Sequence, residues 1–192
     1  MTSRSASAAS PARGRPTERH VAFIRNVMIG RDGLTREVLV KAVGDAGGLD
    51  SRSYLSTGNV SFTAPVETLP ALERRLETSI TAIRGQYEPI FIRSVAYLTD
   101  LADGVWFPDT IDVHERCVTF LPPCRHGTST LPVSSPRGDV TLVATTGSEV
   151  FSVTQLVGGR PGTAGPMIEK DLGAAVTTRN WNTISRVLKT PY

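Results

Sequence analysis

Tyr54-Leu55-Ser56-Thr57-Gly58-Asn59-Val60-Ser61-Phe62 reads as a β-hairpin. Ser51 to Leu55 forms a short strand and Val60-Ser61-Phe62 its return. Between them Ser56-Thr57-Gly58-Asn59 makes a turn, with Gly58 and Asn59 both suited to positive φ. Upstream, His20 to Val27 alternates, with Val21, Phe23 and Arg25 facing one way and Ala22, Ile24 and Asn26 the other, which predicts a first strand. A turn-rich loop, Ile29-Gly30-Arg31-Asp32-Gly33, leads to Thr35, a helix N-cap. Val38, Leu39, Ala42, Val43 and Ala46 follow at helical spacing until Gly47-Gly48 stops the helix. Downstream, Thr68-Leu69-Pro70 opens a second helix with Leu69, Leu72, Leu76, Ile80 and Ile83 down one face, and Pro89 to Arg93 is a fourth strand. The order is β-α-β-β-α-β, the split βαβ or ferredoxin-like unit.

The remainder repeats this plan loosely. Ser94 caps a short helix, Val95 to Asp103, and Cys117 to Leu121 is a strand. A Pro/Ser/Gly-rich loop runs from Pro122 to Gly138. A hairpin, Asp139 to Ala144 and Glu149 to Val153, turns at Thr145-Thr146-Gly147-Ser148. A Gly/Pro-rich loop, Val157 to Pro166, precedes a helix from Met167 to Leu172 that Gly173 ends, and a last helix runs from Trp181 to Leu188. The expected fold is α+β: two ferredoxin-like (αβ-plait) halves, 20–94 and 95–192, the second degenerate. Residues 1–19 are expected to be a disordered basic tail.

Composition narrows the function classes. The chain is 40% hydrophobic and 20% charged, an ordinary globular balance. No apolar run is long enough to span a bilayer, and the N-terminal stretch has no secretory apolar core, so a cytoplasmic setting without a membrane partner is expected. Arg4, Arg13, Arg15 and Arg19 against Glu18 account for the whole net charge of +3. The body is therefore neutral, and without aromatic ribonucleoprotein signatures nucleic acid is an unlikely partner. Cys117 and Cys124 form no Cys-x-x-Cys pair, and Cys124-x-His126 lacks further ligands at metal spacing. No metal and no cofactor is expected.

Three polar clusters carry whatever site there is. Arg25-Asn26-Val27-Met28-Ile29-Gly30-Arg31-Asp32-Gly33 leaves the first strand, and Ser56–Asn59 is the hairpin bend. In a split βαβ unit these lie at the same end of the sheet, so Arg25, Asn26 and Gly30 should approach Ser56, Gly58 and Asn59. Backbone amides beside glycines, the helix start at Thr35, and Arg25 or Arg31 could there hold an anion, although both turns also serve plain chain reversal. The third, Thr177-Thr178-Arg179-Asn180-Trp181-Asn182-Thr183, reads as a donor-rich helix start capped by Thr178 or Asn180. It either grips a ligand or packs Trp181 into the core while its amides and hydroxyls satisfy backbone groups.

No Gly-x-Ser-x-Gly elbow and no Gly-x-x-x-x-Gly-Lys phosphate loop is present. Gly158-Gly159-Arg160-Pro161-Gly162 shares only glycines with the latter. Asp109, Asp112, Glu115 and Glu149 read as solvated acids.

Phe23-Ile24-Arg25-Asn26-Val27-Met28-Ile29-Gly30, the Tyr54–Phe62 hairpin, and Ile168-Glu169-Lys170-Asp171-Leu172-Gly173 with Thr177–Thr183 together resemble the bacterial family catalogued as domain of unknown function 1697. The resemblance spans about His20 to Leu188 and implies a pair of ferredoxin-like domains. It brings no established activity. Asn26 and Met28 depart from the family's Gly and Asn, and its Ser-Lys is replaced around Gly165-Pro166-Met167.

The best expectation is a binding module for a small anionic or phosphate-bearing ligand. Its site residues would be Arg25, Asn26, Gly30, Ser56, Gly58, Asn59, Lys170, Thr178, Arg179, Asn180, Trp181 and Asn182. The alternatives are an interaction protein forming a homodimer through a sheet edge and, with no nucleophile–base pair to name, a small-molecule enzyme.

Overall fold

The structure, a computed structural model, describes residues 16–109, 113–126 and 130–190. In chain order the first half comprises β1 (Thr17–Ile24), α1 (Arg36–Asp45), β2 (Leu49–Tyr54), β3 (Asn59–Pro65), α2 (Leu69–Arg84) and β4 (Ile90–Ser94). The second comprises α3 (Val95–Ala102), β5 (Glu115–Phe120), β6 (Val133–Ser134), β7 (Val140–Thr145), β8 (Glu149–Thr154), β9 (Leu156–Val157), β10 (Arg160–Pro161), α4 (Gly165–Leu172), β11 (Thr177–Asn180) and α5 (Trp181–Lys189). The fold is α+β.

The first sheet has the order β2-β3-β1-β4, each neighbour antiparallel. Strand β3 thus lies between β1 and β2, the arrangement that the β-α-β-β-α-β pattern predicts. The second sheet runs β11-β5-β8-β7-β6. Its strands β11-β5-β8-β7 repeat the first sheet's β4-β1-β3-β2, with α4 in the place of α2. Where α1 stands in the first half, the described residues of the second hold β6 and no helix.

Alternation along β1 sends its side chains to two cores. Ala22 and Ile24 pack with α1 and α2 residues such as Leu39, Val43, Leu72, Leu76 and Ile80. Val21 and Phe23 face the second sheet and meet Val118, Phe120 and Phe151, with Leu98 of α3 and Ile184 of α5 closing the cluster. Phe23 and Phe120 stack with centroids 4.4 Å apart, a geometry worth about 0.5–1.5 kcal/mol beyond area burial. A third core, Leu121, Val140, Leu142, Val150, Ile168 and Val176, lies between the second sheet and α4. Because the middle core takes residues from both sheets, polar groups at the sheet ends meet across it.

Caps stand where the sequence puts them. Thr35 Oγ1 accepts from Val38 N–H at 3.2 Å, Ser94 accepts from Tyr97 N–H, and Gly173 ends α4 at φ 60°. Four expectations are corrected. Thr17–Arg19, assigned to the tail, belong to β1 because they pair with Pro65, Ala64 and Thr63 of β3; Pro16 precedes the strand, and residues 1–15 of that tail lie outside the described residues. Strand β1 stops at Ile24, since Asn26 turns to φ 53°. At the hairpin the positive φ values fall on Leu55 (55°) and Gly58 (66°), while Asn59 is already in β3. Thr177–Asn180 are not a helix start but a strand on β5; only Asn180 caps, accepting from Asn182 N–H at 2.9 Å.

Candidate functional site

The exit of β1 and the hairpin bend meet. Ile24 N–H donates to the Gly58 carbonyl at 2.9 Å and Ile29 N–H to the Ser56 carbonyl at 2.8 Å. The contact is close enough to demand glycine. A Cβ on residue 58 would lie 2.8 Å from Val27 Cβ and 3.0 Å from the Ile24 oxygen, besides the strain of φ 66°. Gly30, at φ 90°, closes a turn in which its N–H bonds the Leu34 carbonyl at 2.8 Å.

Strand β11 carries Arg179 into this junction. Its Nε donates to Asn59 Oδ1 at 2.7 Å, Nη2 to the Ile24 carbonyl at 2.8 Å, and Nη1 to Thr177 Oγ1 at 2.7 Å and the Thr178 carbonyl at 2.8 Å. The guanidinium also lies over the Phe23 ring, 5.8 Å from its centroid. All four hydrogen-bond acceptors are neutral. Arg179 is 7% exposed, and loss of hydration pulls its pKa down to about 10. It is a buried cation with hydrogen bonds but, among the described residues, no ion-pair partner.

Arg25 is the opposite case. Its Nη1 meets Glu88 Oε2 at 2.9 Å, and its Nε and Nη2 meet Glu169 Oε1 at 3.0 and 2.9 Å. Burial lowers its pKa, but the bonds from Glu88 and Glu169 prevail and leave it above the ordinary value. Glu88 is 3% exposed and also accepts from Asn26 Nδ2 and Gln86 Nε2. The anion nest expected around Arg25, Arg31 and the start of α1 therefore does not form. Arg25 turns to these carboxylates, Arg31 is exposed, and Thr35 serves Val38.

Between the halves lies a cleft of about 310 Å³ lined by Arg25, Asn26, Thr163, Gly165, Pro166, Glu169, Val176, Thr177, Thr178 and Arg179. Of the expected site residues, Arg25, Asn26, Thr178 and Arg179 are thus brought to one cavity. Asn59 and Gly58 stand behind it, fully or nearly buried, and act through Arg179 and the β1 bend. Ser56 is exposed and contributes its carbonyl. Lys170 points elsewhere, to a groove with Val133, Leu142 and Met167, because successive residues of α4 face different sides. Asn180 caps α5. Trp181 lies edge-on to Phe107 and Phe151, and Asn182 is exposed.

Sequence reasoning missed the acids. Glu88 sits in a Gly-Gln-Tyr-Glu-Pro stretch that looks like an exposed loop, and Glu169 lies in the late helix without pattern to mark it. Glu149, read as solvated, is wholly buried. It accepts from Arg93 Nε at 2.8 Å, from Thr146 Oγ1 at 2.7 Å and from the Tyr97 hydroxyl. Burial and the Glu149 charge push Tyr97 up to about 12. Asp109 is exposed and Glu115 half-buried, while Asp112 lies outside the described residues. Among the described residues no three His, Cys, Asp or Glu side chains are grouped to hold a metal ion.

A family model described as "Protein of unknown function (DUF1697)" matches residues 17–151. The Ile168–Thr183 string lies beyond the matched span. No curated protein matches the chain. Among solved structures, that of the conserved bacterial protein SP0830 from Streptococcus pneumoniae is similar in fold. Its TM-score is 0.60 at 15% identity, with 91% of this chain and 98% of that one covered.

Proposed function

The chain belongs to this family of unknown function, and since membership fixes no activity, we propose that it is a binding module whose inter-half cleft takes a small anionic ligand. One observation carries the reading. Arg179 holds a buried positive charge whose acceptors are all neutral, and it lines the cleft. An uncompensated buried charge costs several kcal/mol, and an oxyanion beside it offsets that cost. Arg25, the Thr177 and Thr178 hydroxyls and the amino end of α4 border the same space. The cavity has the size of a small-molecule site. In this reading the halves 20–94 and 95–192 each supply one guanidinium, and the protein works in the cytosol, where the two free cysteines suit a reducing medium. No helix among the described residues is long and apolar enough to cross a membrane.

Calorimetric titration with inorganic phosphate tests the proposal. Wild-type protein is expected to bind, and Arg179→Gln, which keeps donors but not charge, to bind at least about tenfold more weakly. Equal affinity in the two, or no heat and no thermal shift at millimolar phosphate or succinate, would overturn it.

A second reading has its own support. Arg25 and Arg179 both bond across the halves, to Glu169 and Val176 in one direction and to Ile24 and Asn59 in the other. The same residues would then serve as a lock in an interaction protein that pairs through a sheet edge. Light scattering that finds a strict monomer counts against that pairing.

A further inference from the structure

Resting on the cleft being an anion site, we infer that Glu169 is a built-in occupant of the ligand's seat. A dianion binds by displacing it and bridging Arg25 and Arg179. A single oxygen, Glu169 Oε1, accepts from Arg25 Nε at 3.0 Å and from the Val176 backbone N–H at 3.0 Å, with Arg25 Nη2 in ion-pair contact at 2.9 Å. Convergent guanidinium and backbone donors are how proteins hold bound oxyanions.

Arg25 does not need this carboxylate for charge. Glu88, with its side chain 4% exposed, stays paired with it at 2.9 Å, and although Glu88 also meets Arg84 Nη1 at 3.1 Å, Arg84 has Asp32 at 3.3 Å as a second acid. The Glu169 side chain is 27% exposed and faces the cleft, so its departure returns it to water at small cost. Arg179 gains nothing from Glu169, since its hydrogen bonds all go elsewhere. A phosphate or a short dicarboxylate has oxygens enough to take over the Arg25 contacts of Glu169 and reach the second guanidinium as well, which leaves the Val176 amide without its acceptor. The exchange therefore substitutes an anion that meets two cations for one that meets a single, already paired cation. It also frees α4 from the exit of β1, so occupancy of the cleft is coupled to how tightly the halves are joined there.

Two measurements test this. The first is the affinity of wild-type protein and Glu169→Gln for inorganic phosphate and, separately, for succinate. The substitution keeps an acceptor for Arg25 and Val176 but removes the competing charge. Binding is expected to tighten by about tenfold, and the better of the two probes tells a phosphate ligand from a dicarboxylate. The second is NMR-detected hydrogen exchange of the Val176 amide in the wild type, which needs no variant to fold. Saturating probe should speed that exchange as Glu169 leaves. Tightened binding by Glu169→Gln together with faster Val176 exchange in the wild type supports the inference, as does binding seen only in that variant. Wild-type binding with unchanged or weaker affinity in Glu169→Gln, or with Val176 exchange unchanged or slowed, overturns it and leaves the cleft reading standing. No binding by either protein ends both.

Discussion

Two polar seams join the halves of this protein, and they supply an arginine withdrawn from water with partners of different kinds. At one, Arg93 of β4 donates to Glu149 at 2.8 Å, to the Ile92 carbonyl at 3.0 Å and to the Leu121 carbonyl at 3.2 Å. Glu149 is itself completed by Tyr97 and Thr146. Charge is matched by charge, and the carboxylate is 0% exposed. At the other, Arg179 of β11 is equally well hydrogen-bonded, yet only by neutral oxygens. A saturated ion pair needs nothing further; a guanidinium fed by amide, hydroxyl and carbonyl dipoles still lacks its counter-charge. The difference separates a seam that holds the fold from one with an electrostatic vacancy.

Glu149→Ala should have the largest effect, about 3 kcal/mol of stability in urea unfolding, because it removes a wholly buried carboxylate and leaves the half-buried Arg93 without its counter-charge and the Tyr97 and Thr146 hydroxyls without their acceptor. If the loss is under about 1 kcal/mol, the first seam is no lock and the contrast collapses. Gly58→Ala should cost about 2–3 kcal/mol, from its left-handed backbone and its contact with Val27, and should weaken the cleft by moving the β1 bend that Arg179 grips. Normal stability there would mean that the bends are not tightly packed. Arg179→Gln should cost less, about 1–2 kcal/mol, since hydrogen bonds are lost but an uncompensated charge goes with them. A cost as great as that of Glu149→Ala would make the two seams alike.

The smallest effect belongs to pH and to neither seam. His20 is 2% exposed beside Phe62, and burial lowers its pKa against the weaker pull of the Ala64 backbone and Glu18. A base that resists protonation in the fold leaves the unfolded chain binding more protons, so stability falls as pH drops below about 6.5. Melting temperatures at pH 7.5 and 5.5 should show that decline, and His20→Phe should reduce it. An unchanged slope in the variant would remove His20 as its source.

Much of the fold is legible because it rests on alternation. Strand β1 splits its apolar residues between two cores, and the hairpin 139–154 shows the same period, so both can be read locally. Strand β11 cannot. Thr177, Thr178, Arg179 and Asn180 have no apolar rhythm, and they are a strand only because β5 offers its edge and Asn59 and Ile24 offer acceptors. The site divides the same way. Topology alone brings the exit of β1 to the Gly58 bend, whereas Glu88, Glu149 and Glu169 are partners chosen by three-dimensional packing, which leaves no spacing signal. The short pairs β9–β10 and β6 escaped notice because two-residue strands carry no period.

The bond from Arg179 to the Ile24 carbonyl closes over 155 residues. On a ribosome adding roughly 5–20 residues per second, the first strand emerges about 8–30 s before the side chain that completes it. Until then the carbonyl at the end of β1 and the side-chain oxygen of Asn59 lack the donor that Arg179 brings. The N-terminal half can therefore collapse early, but it acquires its finished edge only when translation is nearly over, and a chain truncated before residue 179 should be the species most dependent on chaperones.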